Sequence, residues 1–412
     1  MSEIKQLPES DYEAFVTICA NAYPSMGIVS EEDRQRMFAR LQDANNSSNR
    51  RVYGLYREGQ LLGGMIFYDL PMQLLSVQAL TGGVGMVAVD LLHKKERVAF
   101  EMLRFFLQHY RKRGAPLALL YPFRPDFYRK MGFSAGTPLL EYRVRAADLP
   151  KGESKAQVVL LQPEERELVR DCYHRCMART HGLIAKSDHE LQQLFRPKRY
   201  VAAYKQGDQV QGYAAFSFEA GGNFLHNNIV VHELFYENPT ALSQLFTFLH
   251  SQADQIDRVI FYTQDEDFHH LFADPRNGGG RLLPSVFHES ATHAIGVMYR
   301  VIDTPGLFRT LAEHRFGVDS CTFQLTIHDS FLPENAGSTL VQIQDGRPQV
   351  LADGTPQFTI SMEVGVFSAL VMGTARFRSL HAYGLAEISD PQAVELVDRL
   401  FLTSKPICTT PF

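Results

Sequence analysis

The chain has 412 residues, of which 45% are hydrophobic and 21% are charged, and its formal net charge is -5 at pH 7. This balance excludes a disordered chain, and the mild acidity argues against a general nucleic-acid binder while remaining compatible with a basic substrate. At about 150 residues per domain, the length predicts two to four domains.

The N-terminal segment predicts a helix that begins at Ser10, where SDYE has the spacing of a capping box. Glu31, Glu32 and Asp33 follow in the string AYPSMGIVSEED. They could attract a cation, or they could mark a solvated helix start, because carboxylates are favoured in the first turn of a helix. We expect the first helix and residues 25–33 to form rims of a substrate pocket.

Residues 85–99 contain a β-rich run, GMVAVD, and, two leucines later, a basic loop, HKKERVA. A loop that turns into a helix offers unpaired backbone N–H groups, and Lys94, Lys95 and Arg97 add positive charge. The helix that follows can pack on a sheet by an apolar stripe while its first turn stays open. This stripe consists of Val98, Ala99, Met102, Leu103 and Phe106. The loop therefore predicts a site for a diphosphate group.

An internal repeat covers the first two thirds of the chain. A β-hairpin pattern with a charged glycine turn, RVYGLYREGQLLGGMIFY from Arg51, aligns with RYVAAYKQGDQVQGYAAF from Arg199. Residues 86–107 run parallel to residues 228–249, and DFYRK from Asp126 parallels DFHHL from Asp267. The sequence thus predicts two copies of one fold.

The basic loop occurs in the first copy only. Residues 236–239 of the second copy, YENP, replace KKER and bring an acid in place of positive charge, which disfavours phosphate. His269 stands at the position of Tyr128. In isolation His269 could act as a base, but we expect the second copy to provide packing and one wall of a substrate cleft.

The C-terminal segment from about Met298 contains no third copy of the repeat. Strand patterns such as SCTFQLTIHD and PQFTISMEVG alternate with helical runs such as VFSALVMG and PQAVELVDRLF, which predicts an α+β layer. The turn-rich string DGRPQVLADGTPQ predicts a loop.

The cysteines and histidines do not form a metal-site pattern. Cys172 and Cys176 lie one helical turn apart without a second ligand pair, so we interpret them as buried small residues of a helix. His288 and His293 in HESATH are five residues apart, and on a helix that spacing separates them by about 140°. An odd number of cysteines without a paired framework predicts reduced thiols. We therefore predict no metal.

Three further strings occur after the basic loop, in this order: LYPFRPDFYRKMGF, MYRVIDTPGLFRTL and the terminal KPICTTPF. Together they resemble the Eis-like (enhanced intracellular survival) branch of the GNAT superfamily of N-acetyltransferases, over essentially the whole chain. In the phosphate loop of that superfamily Lys94 stands at the first basic position and Ala99 at the last small one, but Arg97 replaces the central glycine. The resemblance implies a mixed α+β protein with tandem GNAT folds, active in residues 1–150 and degenerate in residues 151–297. A sterol-carrier-protein-like α/β domain would follow in residues 298–412.

The resemblance implies that acetyl-CoA is the acetyl donor. Paired strands would splay apart at Val87, Ala88 and Val89, whose backbone groups would bond the thioester carbonyl and the pantetheine arm. The diphosphate would be held by Lys94, Lys95, Glu96, Arg97, Val98 and Ala99. Tyr128 would protonate the leaving thiolate, because a phenol of pKa about 10 can donate to a thiolate of pKa about 8.5. Its alternative role is an aromatic plug in the core.

The resemblance also implies that the main-chain carboxylate of Phe412 returns to the cleft of the first domain. There it would accept the proton of the attacking amine. A frayed chain end is the alternative. The apolar string ICTTPF lacks the Lys and Glu residues of a loose tail, which favours docking.

The acceptor stays open between amines of polycationic small molecules such as aminoglycosides and the ε-amino group of lysine. The rival function is a catalytically weak acyl-CoA- or lipid-binding protein that uses its C-terminal domain. No run of about 18 apolar residues and no signal-peptide core occur, so we expect a cytoplasmic protein without membrane or nucleic-acid partners. The resemblance implies a homo-oligomer.

Overall fold

The computed structural model describes residues 2–221 and 227–412. The chain forms two compact units. The first contains the chain up to Gly136, Val297–Lys405 and Phe412, and the second contains Thr137–Gly296 and Pro406–Pro411. Among the described residues, no helix is long and apolar enough to cross a bilayer.

The N-terminal part of the first unit contributes six strands and four α-helices. The strands are β1 (Ser2–Gln6), β2 (Arg50–Arg57), β3 (Gln60–Leu74), β4 (Val77–Val89), β5 (Leu117–Leu120) and β6 (Ser134–Ala135). The helices are α1 (Tyr12–Ala22), α2 (Glu31–Asn46), α3 (Val98–Lys112) and α4 (Pro125–Arg129). The predicted hairpin is confirmed, because β2 and β3 are antiparallel and joined by Glu58 and Gly59, both of which have positive φ.

The helix caps differ from the prediction at the N-terminus. The capping box predicted at Ser10 is wrong: the Ser10 hydroxyl bonds the next side chain, Glu9–Asp11 form one 3-10 turn, and α1 begins at Tyr12 without a side-chain cap. A capping box starts α2 instead, where Ser30 Oγ accepts from the Asp33 N–H and the Asp33 carboxylate accepts from the Ser30 N–H. The acids of this segment are therefore a solvated helix start.

Helix α3 packs against the sheet by the predicted stripe, which is confirmed. Val98, Met102, Leu103 and Phe106 are buried, and Ala99 is half-buried. The same core includes Phe67 and Val84 of the sheet together with Phe331 and Leu332 of the C-terminal part of this unit. The apolar face of α3 is thus covered while its first turn lies at the edge of this core.

The second unit repeats the arrangement. Its strands are β7 (Leu139–Arg145), β8 (Val158–Leu160), β9 (Arg199–Gln206), β10 (Gln209–Ala220), β11 (Asn227–Tyr236), β12 (Ile256–Thr263), β13 (Leu282–Leu283), β14 (Phe287–His288) and β15 (Ala291–Ala294). Its helices are α5 (Arg166–Met177), α6 (Asp188–Leu194) and α7 (Pro239–His250). The hairpin β9–β10 and the succession of β11 and α7 match the first copy, which confirms the predicted repeat.

The cysteines and the HESATH histidines lie as follows. Cys172 and Cys176 are buried on α5, which confirms their interpretation, and all five cysteines are buried and form no disulfide within the described residues. His288 and His293 lie on β14 and β15 rather than on a helix. Over residues 2–221 and 227–412, no cluster of three His, Cys, Asp or Glu side chains is placed to hold a metal ion. The absence of a metal stays a prediction.

The chain segment before the last residue packs within the second unit. The Thr137 hydroxyl donates to the Pro406 carbonyl at 2.6 Å, and the Cys408 N–H donates to the Gln264 side chain at 2.6 Å. The Ile407 N–H donates to the His181 carbonyl at 2.8 Å. Residues 406–411 are therefore held by hydrogen bonds rather than frayed.

The C-terminal part of the first unit is an α+β layer, as predicted. Its strands are β16 (Met298–Val301), β17 (Cys321–His328), β18 (Gly337–Gln344), β19 (Arg347–Leu351), β20 (Phe358–Glu363) and β21 (Ala386–Ile388). Its helices are α8 (Thr304–Thr310), α9 (Val364–Val371), α10 (Phe377–Ala382) and α11 (Val394–Leu400). The loop predicted for DGRPQVLADGTPQ is wrong in its first half: Asp345 and Gly346 form a hairpin turn with positive φ, and β19 pairs with β18.

The two large sheets each take a strand from a distant part of the chain. The first sheet has the order β1-β2-β3-β4-β5-β16-β6, and the second has the order β15-β7-β12-β11-β10-β9-β8. Strand β16, which follows the second copy, lies between β5 and β6, while β7, which follows the first copy, pairs with β12. The third sheet has the order β19-β18-β17-β20-β21.

Candidate functional site

Strands β4 and β5 of the first unit diverge, as a site for an extended ligand requires. They pair in parallel from Gly82 to Val84 only, and β5 ends at Leu120 while β4 continues to Val89. Met86 has a φ of 50°, and the pairing of β4 with β3 shifts register beside it. Within the part of the chain that the structure describes, the β5 side of β4 beyond Val84 therefore has no strand partner, and this stretch contains the predicted Val87, Ala88 and Val89.

Tyr23 is a site residue that the sequence analysis missed. It directly follows α1, and its hydroxyl donates to the Val87 carbonyl at 2.7 Å. Burial raises the pKa of Tyr23 to about 12, so the phenol stays protonated at neutral pH. The only signal in the sequence was its place at the start of the expected pocket rim.

Tyr128 lies on α4 and is 3% exposed. Burial raises the pKa of Tyr128 above its ordinary value, and the nearby Tyr23 phenol raises it further. The rings of Phe123, Phe127 and Phe133 meet the Tyr128 ring edge-on at centroid distances of 6.1, 5.2 and 6.1 Å. The side chain is therefore a neutral phenol enclosed by aromatic rings, and its role as a proton donor stays a prediction.

Arg97, where a glycine was expected, has a glycine-like backbone. It is the N-cap of α3 with φ 66° and ψ 10°, in the left-handed region, and its side chain makes no cap hydrogen bond. Its guanidinium lies 4.5 Å over the ring of Phe100. The loop therefore keeps the backbone turn of the glycine-containing pattern, and no side chain of the N-cap occupies the N–H groups of the first turn of α3.

The other residues of the basic loop are on the surface. Lys94 and Lys95 are exposed, and the carboxylate of Glu96 contacts Arg57 at 3.3 Å and His93 at 3.1 Å. Because Glu96 is engaged by these two side chains, the charge of the lysines beside the helix start is left for an anion. Val98 and Ala99 form the first turn that would present N–H groups to it.

The equivalent helix start in the second unit is filled by its own side chains. The Asn238 side chain accepts from the Ala241 N–H at 2.9 Å and so caps α7. The Glu237 carboxylate accepts from Arg175 at 2.8 Å, and Arg179 donates to the Glu237 carbonyl. His269 is half-buried, its Nδ1 lies 3.0 Å from the Glu266 carbonyl, and it stands in a 3-10 turn. Neither a basic loop nor an open first turn is present at this position.

The last residue, Phe412, packs against strand β4. The Phe412 ring packs beside Tyr68 and Tyr121 at centroid distances of 5.7 and 5.2 Å. A Cβ at Gly83 would lie 3.1 Å from this ring, and a Cβ at Gly85 would lie 3.2 Å from the carboxyl carbon of Phe412. The structure therefore brings the terminal carboxylate to the strand that carries Val87.

Four features of the first unit lie in this region: the start of α3, the unpaired side of β4, the Tyr128 phenol and the Phe412 carboxylate. The start of α3 can hold an anion, and the free side of β4 can bond an extended ligand. The Tyr128 phenol carries an O–H group, and the terminal carboxylate of Phe412 offers acceptor oxygens. Such a set suits the transfer of a group from a large phosphorylated carrier to a nucleophile.

Three family models match successive parts of the chain. Residues 3–136 match an acetyltransferase (GNAT) domain family, and residues 176–301 match a second acetyltransferase (GNAT) domain family. Residues 308–409 match a sterol carrier protein domain family. A sequence comparison with curated proteins finds no match.

Solved structures with the same fold align along the entire chain. A GCN5-related N-acetyltransferase from Anabaena variabilis aligns with a TM-score of 0.83 at 16% identity, and Eis1 from Mycobacterium abscessus with 0.77 at 20%. A probable N-acyltransferase from Enterococcus faecalis aligns with 0.79 at 19%. Each alignment covers 100% of both chains. At these identities the likeness establishes the fold.

Proposed function

Because the chain consists of two GNAT acetyltransferase domains followed by a sterol carrier protein domain, we propose that it transfers the acetyl group of acetyl-CoA to a primary amine. The predicted tandem GNAT folds and the likeness to the Eis-like acetyltransferases are confirmed at the level of domains and fold. One observation carries the proposal for the first domain: α3 begins without a side-chain cap beside Lys94 and Lys95, whereas α7 is capped by Asn238.

The donor would bind along β4 and at the start of α3. The first-turn N–H groups at Val98 and Ala99, with Lys94 and Lys95, would hold its diphosphate, and the free side of β4 would bond the pantetheine arm. Acetyl-CoA supplies an activated thioester. Glu96 is engaged with Arg57, so we propose that it supports the loop rather than contacting the donor.

The reaction proposed is direct attack. The amine nitrogen forms a bond to the thioester carbonyl carbon, the carbon–sulfur bond breaks, and the Phe412 carboxylate accepts the proton of the nitrogen. Tyr128 gives its proton to the sulfur and is reprotonated from solvent. The phenol is protonated at neutral pH with or without the rise in its pKa, and that rise by burial makes Tyr128 a weaker acid toward the thiolate.

For the acceptor, we propose an amine of a polycationic small molecule, aminoglycoside-like, or a lysine side chain. The net charge of -5 is compatible with a cationic acceptor. The cytoplasmic location and the homo-oligomer stay predictions from the sequence. Sedimentation of the purified chain measures the second of these.

The proposal is tested by release of free CoA thiol from acetyl-CoA in the presence of a polyamine or an aminoglycoside. We expect Tyr128→Phe to lower kcat by about 100-fold, because a positioned proton donor contributes at least that much, and to leave the KM for acetyl-CoA near its original value. Tyr383→Phe, at a tyrosine that is 74% exposed, is the matched control. Undiminished turnover by Tyr128→Phe would remove the phenol from the mechanism.

Calorimetry on the intact chain distinguishes the acetyltransferase from the rival function, a lipid-binding protein. An acetyltransferase binds acetyl-CoA with measurable heat. A lipid-binding protein with a spoiled loop gives no such heat and carries a co-purifying lipid, which mass spectrometry of an organic extract detects.

A further inference from the structure

Arg300 of β16 is the largest fully buried side chain of the described residues. Its guanidinium forms an ion pair with Asp329, in which the one nitrogen Nη2 lies 2.7 and 2.8 Å from the two carboxylate oxygens. Arg300 and Asp329 side chains are 0% and 1% exposed. Both residues belong to the first unit.

The same guanidinium holds the turn that follows α4. Arg300 Nε donates to the Met131 carbonyl at 2.6 Å. The Tyr128 carbonyl, in turn, accepts from the N–H groups of Met131 and Phe133 at 2.9 and 3.2 Å. Two consecutive hydrogen-bonded steps therefore connect the ion pair to the backbone of Tyr128.

The turn has little room to move. Gly132 has a φ of 81°, and a Cβ there would lie 2.5 Å from Val364 of α9 and 2.9 Å from Arg300 Nε. Position 132 is thus enclosed by Arg300 of β16 and by Val364 of α9, both of the C-terminal part of the unit. The placement of the α4 turn depends on both.

Asp329 is itself fixed from the C-terminal part. Its carboxylate accepts from the Leu332 N–H at 2.8 Å and from the Asn335 side chain at 3.1 Å. Asn335 Oδ1 accepts from the Thr304 N–H at 2.8 Å. The carboxylate is therefore held in one orientation before it orients the guanidinium.

A gain in folding stability does not account for this buried ion pair. Taking two charges out of water offsets most of their attraction, and apolar pairs of similar volume serve a core equally well. An apolar pair could supply neither a donor for the Met131 carbonyl nor an acceptor for the Leu332 N–H and the Asn335 side chain, and of these groups the Met131 carbonyl is the one in the turn after α4. An unsatisfied buried carbonyl would let the turn, and Tyr128 with it, relax.

We propose that Arg300 and Asp329 are positioning residues, through which the C-terminal domain holds Tyr128 in its place in the first domain. This inference rests on the proposed role of Tyr128. It gives the sterol carrier protein domain a part in acetyl transfer without requiring that domain to bind a ligand.

The test replaces the pair by apolar residues of similar size, Arg300→Met with Asp329→Leu. We expect kcat to fall by about tenfold to 100-fold, as for other small displacements of a reacting group, with the KM for acetyl-CoA changed less than about twofold. Hydrogen exchange at the Met131 and Phe133 amides should accelerate. Arg376→Met with Asp398→Leu is the control, because the hydrogen bonds given for this pair, including those of Asp398 with Arg378, stay within the C-terminal part among the residues that the structure describes.

The outcomes are distinct. A double variant that folds and keeps both kcat and the exchange rates overturns the inference. If the double variant does not fold, Arg300→Lys decides in its place: we expect it to lose kcat with unchanged KM, and full activity overturns the inference. A wild-type chain without acetyl transfer, or one that is indifferent to Tyr128→Phe, contradicts the proposed function instead.

Discussion

The carboxyl group of Phe412 lies against the backbone of Gly85, so closely that a Cβ on Gly85 would be 3.2 Å from the carboxyl carbon. Gly85 immediately precedes Met86, where the pairing of β4 is interrupted. The end of the chain and the irregular point of the strand therefore coincide. Two residues further along β4, the Val87 carbonyl accepts a hydrogen bond from the Tyr23 hydroxyl.

The first prediction separates the carboxylate of Phe412 from its ring. Addition of one glycine after Phe412 keeps the ring and moves the carboxylate, and we expect kcat to fall by at least about tenfold because a proton acceptor is displaced. Phe412→Leu keeps the carboxylate and an apolar anchor, and should retain most activity. Steady-state kinetics of the two chains decide; equal activity of both would remove the carboxylate from the reaction.

The second prediction concerns the space at Gly85. Gly85→Ala should lower kcat several-fold without unfolding the chain, because the new methyl group would press on the Phe412 carboxyl group. Gly279→Ala in the second unit, whose Cβ would meet only side-chain atoms, is the control. Thermal unfolding of both variants shows whether the loss of turnover is local. Unchanged kcat in Gly85→Ala would mean that the terminus shifts freely.

The third prediction tests the backbone of the phosphate loop. Arg97 has positive φ, so Arg97→Gly should change the free energy of unfolding by less than about 1 kcal/mol, whereas Arg97→Val should lower it by about 1 to 2 kcal/mol. Urea unfolding measures both. Equal stability of the two variants would show that position 97 does not require the left-handed conformation.

The fourth prediction is the alkaline limit of stability. Burial raises the pKa of Tyr23 to about 12 and also raises the pKa of Tyr128, so both phenols stay neutral in the folded chain after they ionise in the unfolded one. Their contribution is fully present below about pH 10 and is lost as the pH rises through the folded pKa values, at about 1.4 kcal/mol per pH unit for each.

Urea unfolding between pH 9 and pH 12 measures this slope. Tyr128→Phe should make the decline above about pH 10 shallower, because one ionising phenol is removed from the unfolded state. Tyr383→Phe, at an exposed tyrosine, should leave the slope as it is. An unchanged slope in Tyr128→Phe would contradict the burial argument.

The fifth prediction is the stoichiometry of donor binding. Calorimetry should find one acetyl-CoA per chain, because the first turn of α7 is capped by Asn238 and flanked by Glu237, whereas α3 has no such cap. Lys94→Ala with Lys95→Ala should weaken that binding, more so at low salt. A second equivalent of bound donor would contradict the assignment of the second copy as degenerate.

Local patterns in the sequence determined the two hairpins, the buried face of α3 and the basic loop, whereas Tyr128 and Phe412 were expected from the family resemblance. The glycine turns at Gly59 and Gly207 predicted both hairpins, and the stripe from Val98 predicted the buried face of α3. The loss of basic residues at 236–239 separated the two copies. These signals are readable because periodicity, turn chemistry and charge act within a few residues of one another.

Only the tertiary structure decided which distant segments meet. It placed β16 in the first sheet and β7 in the second, brought Tyr23 to Val87, and buried Arg300 beneath the turn that follows Tyr128. The left-handed backbone of Arg97 likewise appears only in the fold. Such contacts join residues tens to hundreds of positions apart, and their free energy depends on burial and geometry that no local pattern carries.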